Sequence, residues 1–215
     1  GKVPILVGGT GFYINAILYD TQFNNMDQNT SYRDYLMSIS NKEGAEFLHK
    51  MLTEVDPISA MQIHPNNVKR VIRALEYYHE TGLCISDHNL SEKSKKNINL
   101  SPYNYCFFTL SMERSVLYNR INERVDQMIK DGLVDEVRTF FDQGYDESYT
   151  SMKAIGYKEF FPYFRGESTL DECIEKLKKN TRNFAKRQQT WFRHQSPSTF
   201  IEVDALSFDI DKICM

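Results

Sequence analysis

The chain has 215 residues, 41% of them hydrophobic and 26% charged, which is long enough for one large domain or two small ones with a real core. Twenty-six Lys and Arg against 29 Asp and Glu leave a net charge of −3, so a globally basic nucleic-acid binder is excluded, though a local basic patch is not. No apolar run approaches the length of a spanning helix, and 13 Tyr with 14 Phe argue against disorder.

The chain opens without Met, directly on a strand pattern, and reads as a piece cut from a larger domain. Val3–Val7 is a short apolar run that predicts a buried central strand. Gly8-Gly9 closes it, and Thr10 stands where it can cap a helix through Tyr13, Ile14, Ile17 and Leu18. Residues 20–30 are polar and Asn-rich and read as a linker. Helices are then predicted over 32–39, 44–52, from Asp56-Pro57 onward, and from Asn66 or Asn67 to Thr81-Gly82. Residues 90–100 read as a polar, lysine-containing loop.

Tyr103–Leu110 predicts a second buried strand. A long helix follows from about Arg114, with Leu117, Ile121, Val125 and Met128 on one stripe. It is interrupted at Gly132 and continues to Gly144. Ala154–Tyr163 reads as a short helical segment. Leu170–Trp191 is the most regular helix, with Leu170, Ile174, Leu177, Thr181, Phe184, Gln188 and Trp191 on its apolar side. Thr199–Val203 is a late strand, and the acidic tail carries no signal. The expected organisation is therefore an α/β core (residues 1–23 and 105–215) interrupted by an all-helical insertion (residues 24–104).

Charge concentrates in two places. Residues 171–195 hold seven basic side chains against three acidic ones, and Lys179, Arg182, Lys186, Gln189 and Arg193 share one helical face. Such a face is either a phosphate track or simply solvated. Lys69, Arg70 and Arg73 form the second cluster, with Glu76 and Glu80 continuing that face, so that part of this charge can be intrahelical pairing.

Gly8-Gly9-Thr10-Gly11 is a phosphate-cradle candidate or an ordinary helix cap; it is not a Walker A motif. Arg120 and Arg124, one turn apart, are suited to diphosphate oxygens or to pairing with Glu113, Glu123 or Asp126. The histidines show no metal-ligand spacing, and no metal-binding residue is assigned. Cys84, Cys106, Cys173 and Cys214 form no C-x-x-C pair and read as reduced thiols of a cytoplasmic protein.

Taken together, five segments resemble one family, the tRNA dimethylallyltransferases. They are Pro4-Ile5-Leu6-Val7-Gly8-Gly9-Thr10-Gly11-Phe12-Tyr13, His64-Pro65-Asn66-Asn67-Val68-Lys69-Arg70-Val71-Ile72-Arg73-Ala74-Leu75-Glu76, Arg124-Val125-Asp126-Gln127-Met128 with Gly132-Leu133 and Glu136-Val137, Ala154-Ile155-Gly156-Tyr157-Lys158-Glu159, and Thr181 through Arg193. The resemblance implies transfer of a dimethylallyl group from dimethylallyl diphosphate to N6 of adenosine 37 in tRNA, assisted by Mg²⁺. It implies a P-loop NTPase-like parallel-sheet core whose helical insertion grips the anticodon stem-loop. It makes Thr10 and Arg124 catalytic, and Gly8, Gly9, Thr10, Arg120 and Arg124 diphosphate-binding. It makes Lys69, Arg70, Arg73, Lys153, Gly156, Tyr157, Lys158, Arg182, Lys186, Arg187, Gln188, Gln189, Thr190 and Arg193 tRNA-binding, while Trp191 is expected to pack.

The resemblance also implies a Walker-type loop and a general-base aspartate ahead of Gly-Gly-Thr. Neither is in this sequence, so these 215 residues alone are expected to be inactive and poorly stable. A monomer with no membrane association is expected. Two rival readings stand beside it: a non-catalytic RNA-binding module, and a P-loop small-molecule kinase-like phosphotransferase.

Overall fold

The computed structural model describes residues 2–21, 31–97 and 101–214. By their contacts they form two compact units, Gly1–Gly11 with Tyr105–Met215, and Phe12–Asn104. The second boundary coincides with the expected one. The first lies at 11/12 rather than 23/24, because nearly all of helix α1 (Gly11–Leu18) belongs to the helical unit.

In that unit, α2 (Ser31–Glu43), α3 (Ala45–Val55), α4 (Pro57–Gln62) and α5 (Val68–Thr81) close over one core of Leu36, Leu48, Leu52, Val71, Ile72 and Leu75. Asp56 organises their junction. Its Oδ1 accepts the Ser59 amide at 2.9 Å and so caps α4, whose first residue is Pro57. Its Oδ2 accepts the Ser86 amide at 3.0 Å and fixes the start of α6 (Ile85–Asn97). Asn67 stands at the N-cap of α5 without a side-chain capping bond. Gly82 ends α5 in the left-handed region at φ 69°, its amide returning to the Tyr78 carbonyl at 2.8 Å.

The other unit holds a two-stranded parallel sheet, β1 (Phe108–Ser111) beside β2 (Thr199–Glu202), with Phe108 opposite Thr199 and Ser111 opposite Glu202. Between them run α7 (Arg114–Lys130), α8 (Leu133–Asp142), a 3₁₀ turn (Ser151–Lys153), α9 (Phe161–Phe164) and α10 (Leu170–Gln195); α11 (Ile210–Cys214) follows β2. Val125, Leu133, Val137, Phe160, Cys173 and Leu177 make the core. A capping box starts α10: the Glu172 amide donates to Thr169 Oγ1, and the Thr169 amide donates to the Glu172 carboxylate. The described residues are thus mostly helical with a small parallel sheet, an α/β arrangement.

Several expectations change. Val3–Val7 is not a buried strand: Val3 and Val7 are 87% and 88% exposed, and no described strand pairs with the run. The 103–110 strand shrinks to β1, with Phe108 and Leu110 exposed. Most of the predicted loop at 90–100 is helix α6, since Leu, Glu and Lys favour helix even without an apolar stripe. The segment 154–163 is turns followed by a short helix, because Gly156 turns at φ 106°, a left-handed conformation. Phe184 is exposed, while Leu177 is buried as expected and Cys173 and Phe192 join it on the core face of α10. The predicted linker lies largely outside the described residues, as do residues 98–100.

Candidate functional site

The twin-glycine loop lies against α10. Gln188 Nε2 donates to the Gly9 carbonyl at 2.7 Å. A Cβ on Gly9 would overlap the end of Gln188, and a Cβ on Gly11 would overlap the six-membered ring of Trp191. Both glycines are therefore explained by close approach. Gly8 has open space around it. Thr10 between them is exposed. Trp191 is half-buried and lies against Gly11, and Gln188, expected as an RNA contact, is bonded to this loop.

Helix α7 contributes the arginines. Arg124 is exposed and, among the described residues, has no hydrogen-bond or ion-pair partner. Two of its three candidate carboxylate partners are engaged elsewhere, and Glu123 forms no ion pair with it. Asp126 pairs with Lys178 at 2.8 Å, and Glu113 caps α7 by accepting the Ser115 and Val116 amides. Arg120 instead lies over the Phe208 ring, 4.7 Å from its centroid. Arg182 is half-buried and ties α10 to α7, Nη1 donating to Asn122 Oδ1 at 2.6 Å.

Further along α10, Lys186, Arg187, Thr190 and Arg193 are exposed, Gln189 half-buried. Thr190 Oγ1 donates to the Lys186 carbonyl, and Arg187 lies 6.0 Å from the Phe184 ring centroid. A groove of about 550 Å³ runs here between Lys186, Arg187, Trp191 and His194. A second, polar cavity of about 670 Å³ opens where the parallel strands end, lined by Glu113, Arg114, Gln189, Arg193, Glu202 and Asp204. The Glu113 amide donates to Asp204 Oδ2 there at 2.8 Å. Sequence reading missed Arg114 and His194. The signal for Arg114 was its place just after a strand, since ligands of open α/β sheets bind at the strands' carboxyl ends.

In the same unit, the 153–158 segment is held from below. The buried Glu159 accepts the Gly156 amide at 2.9 Å through Oε2 and Asn180 Nδ2 at 2.8 Å through Oε1. Lys153 and Lys158 are exposed, and Lys153 Nζ donates to the Ser148 carbonyl at 3.1 Å. The Tyr157 hydroxyl donates to Glu136, whose carboxylate pushes the phenol pKa up. In the helical unit, Lys69, Arg70 and Arg73 all point outward from α5. Glu76 does not pair with them; it is buried and bound by Arg33.

Among the described residues no three His, Cys, Asp or Glu converge as a group that could hold a metal ion. No described helix is long and apolar enough to cross a membrane.

The chain is 50% identical over 195 residues to a tRNA dimethylallyltransferase of Lachnoclostridium phytofermentans, covering 91% of this chain and 61% of that protein. It is 48% identical over 203 residues to that of Geobacillus thermodenitrificans, covering 94% and 62%. It thus spans about three fifths of the length of the curated relatives it matches. Among solved structures, a tRNA isopentenylpyrophosphate transferase of Bacillus halodurans superposes with a TM-score of 0.58 at 42% identity, over 95% of this chain and 61% of that one. A eukaryotic dimethylallyltransferase acting on tRNA gives a TM-score of 0.68 at 26% identity, over 96% and 52%. The non-catalytic and kinase readings find no support in these relatives. The family model described as IPP transferase matches residues 1–195, and the chain belongs to that family.

Proposed function

We propose that this chain forms part of an enzyme that transfers a dimethylallyl group from dimethylallyl diphosphate to N6 of adenosine 37 of tRNA, and that its core is P-loop NTPase-like. The observation that carries the reading is the pair of unneutralised polar groups in one unit. Thr10 is exposed on a loop held by α10, and Arg124 has no ion-pair partner among the described residues.

The chemistry asks for such groups. The allylic C–O bond breaks and its electron pair goes to the departing diphosphate. The N6 lone pair then forms the new C–N bond, and N6 gives up a proton. Negative charge grows on the leaving oxygens, so donors aimed there lower the barrier. Thr10 supplies one O–H donor, and Arg124 supplies a planar fork of N–H donors. Mg²⁺, implied by the family resemblance, would supply further positive charge to those oxygens. Lys186, Arg187 and Arg193 on α10, Lys153 and Lys158 beside Gly156, and Lys69, Arg70 and Arg73 on α5 are exposed cations suited to RNA phosphates. The partner is the anticodon stem-loop, which must present an extruded adenine.

Two measurements test this. In the protein expressed from its own gene, label from dimethylallyl diphosphate moves to tRNA, and Thr10→Ala and Arg124→Ala abolish transfer while tRNA affinity is kept. With the 215-residue chain, affinity for an anticodon stem-loop falls steeply with salt, and changing Lys69, Arg70, Arg73, Lys186, Arg187 or Arg193 singly to Ala lowers the slope by about 0.7. Salt-independent RNA binding, or transfer untouched by both substitutions, overturns the reading.

A further inference from the structure

We infer that Gln188 and Trp191 are positioning residues which link occupation of the α10 groove by RNA to occupation of the twin-glycine loop by diphosphate. The inference rests on the function proposed above and gives these two side chains a role in that same site.

Three observations carry it. Gln188 reaches the loop from α10 through a single directed bond, Nε2 to the Gly9 carbonyl at 2.7 Å, across 179 positions of sequence. That bond fixes the peptide immediately before Thr10, so the direction of the Thr10 hydroxyl depends on it. Trp191 has two neighbours at once. The six-membered ring of its indole abuts Gly11, the residue immediately after Thr10, and the same side chain lines the cationic groove with Lys186, Arg187 and His194. Thr10 is thus gripped on both sides by residues of the helix whose exposed face carries Lys186, Arg187 and Arg193.

A polyanion that orders this part of α10 also orders the two contacts that orient Thr10. The loop then loses less freedom when diphosphate binds, and by linkage diphosphate tightens RNA to the same degree. Gln188 on this account touches neither ligand and acts through Gly9.

The test uses Trp191, the sole tryptophan of the chain, as reporter. Its emission is followed while the 215-residue chain is titrated with inorganic pyrophosphate, with and without an anticodon stem-loop RNA. The RNA is expected to tighten pyrophosphate roughly tenfold, within the usual range of such coupling. Gln188→Leu keeps the size and removes the donor. It is expected to abolish that tightening and weaken pyrophosphate, while RNA affinity by filter binding and the melting temperature stay near wild type. Gln188→Glu, whose ionised carboxylate repels the Gly9 carbonyl, is expected to do the same and guards against a folding defect peculiar to leucine.

The inference falls if Gln188→Leu weakens RNA and leaves pyrophosphate untouched, which makes Gln188 an RNA contact. It falls equally if both ligands bind with no coupling in the wild type, and that outcome leaves the proposed function standing. A wild-type chain that binds neither ligand overturns this inference and the functional reading together.

Discussion

Arg33 on α2 holds the buried carboxylate of Glu76 on α5 in a two-pronged grip, Nε to Oε1 at 2.8 Å and Nη2 to Oε2 at 3.1 Å. The bond removes Glu76 from the reach of Arg73, so the α5 cations face solvent without it. Replacing Arg33 by Met leaves the Glu76 charge buried without its partner. About half of the Arg33 side chain is exposed, at 52%, so water can move in and limit the loss. The expected destabilisation is about 1–2 kcal/mol, below that for breaking a fully buried pair. Urea unfolding measures it, and RNA affinity should stay unchanged, because Glu76 plays no part in neutralising Lys69, Arg70 or Arg73.

Asp56 sets a pH dependence. Burial pushes its pKa up, but hydrogen bonds from the amides and hydroxyls of Ser59 and Ser86 outweigh that and hold the carboxyl below the usual range. A group whose pKa is lower folded than unfolded stabilises fully above its unfolded value and loses that contribution as pH falls through the folded one. Wild-type stability should therefore decline below about pH 4 through this group. Asp56→Asn should cost about 1–2 kcal/mol at neutral pH, through weaker capping of α4 and a poorer acceptor for Ser86. Its stability should fall less steeply than wild type in the acid window. Thermal melts from pH 3 to pH 7 compare the two.

What sequence reveals and what it hides divide along the same physical line. Asp56-Pro57, the Gly82 stop and the Gly132 break were legible because each acts on its own backbone within a turn or two. The α10 span was legible because its apolar spacing repeats. Val3–Val7 misled because an apolar run becomes a buried strand only when other strands flank it, a non-local condition. Helix α6 was missed because its residues favour helix individually without marking a buried face. At the candidate site, the roles proposed for Thr10 and Arg124 come from the family resemblance. The Gln188–Gly9 bond was not legible, since nothing in a Gln on a basic helix says which distant carbonyl it meets.

Glu159 should behave as a structural support of the 153–158 segment. Its buried carboxylate accepts from the Gly156 amide on one side and Asn180 on the other. Glu159→Ala leaves that amide and Asn180 Nδ2 without their acceptor, a loss of about 2–3 kcal/mol. Glu159→Gln keeps an acceptor for one of them and should lose less. If Lys153 and Lys158 bind phosphate from this segment, Glu159→Ala should weaken RNA affinity while both lysines remain. Calorimetric melting and filter binding on the pair of variants separate the two effects.

Gly11 and Gly8 offer a sharper comparison, because they stand three residues apart and meet opposite surroundings. On helix propensity alone Gly11→Ala should stabilise α1, Ala being favoured over Gly by about 1 kcal/mol. Geometry reverses the sign. The added methyl would overlap the Trp191 ring, a rigid group that cannot swing aside as a flexible chain end would. The indole or the start of α1 must move, and such overpacking costs about 1–3 kcal/mol. Gly8→Ala meets nothing within 4 Å and should be near neutral in stability. The expected result is therefore a lower melting temperature and shifted Trp191 emission for Gly11→Ala alone. Equal melting of the two variants would mean that the indole does not press on Gly11 in solution.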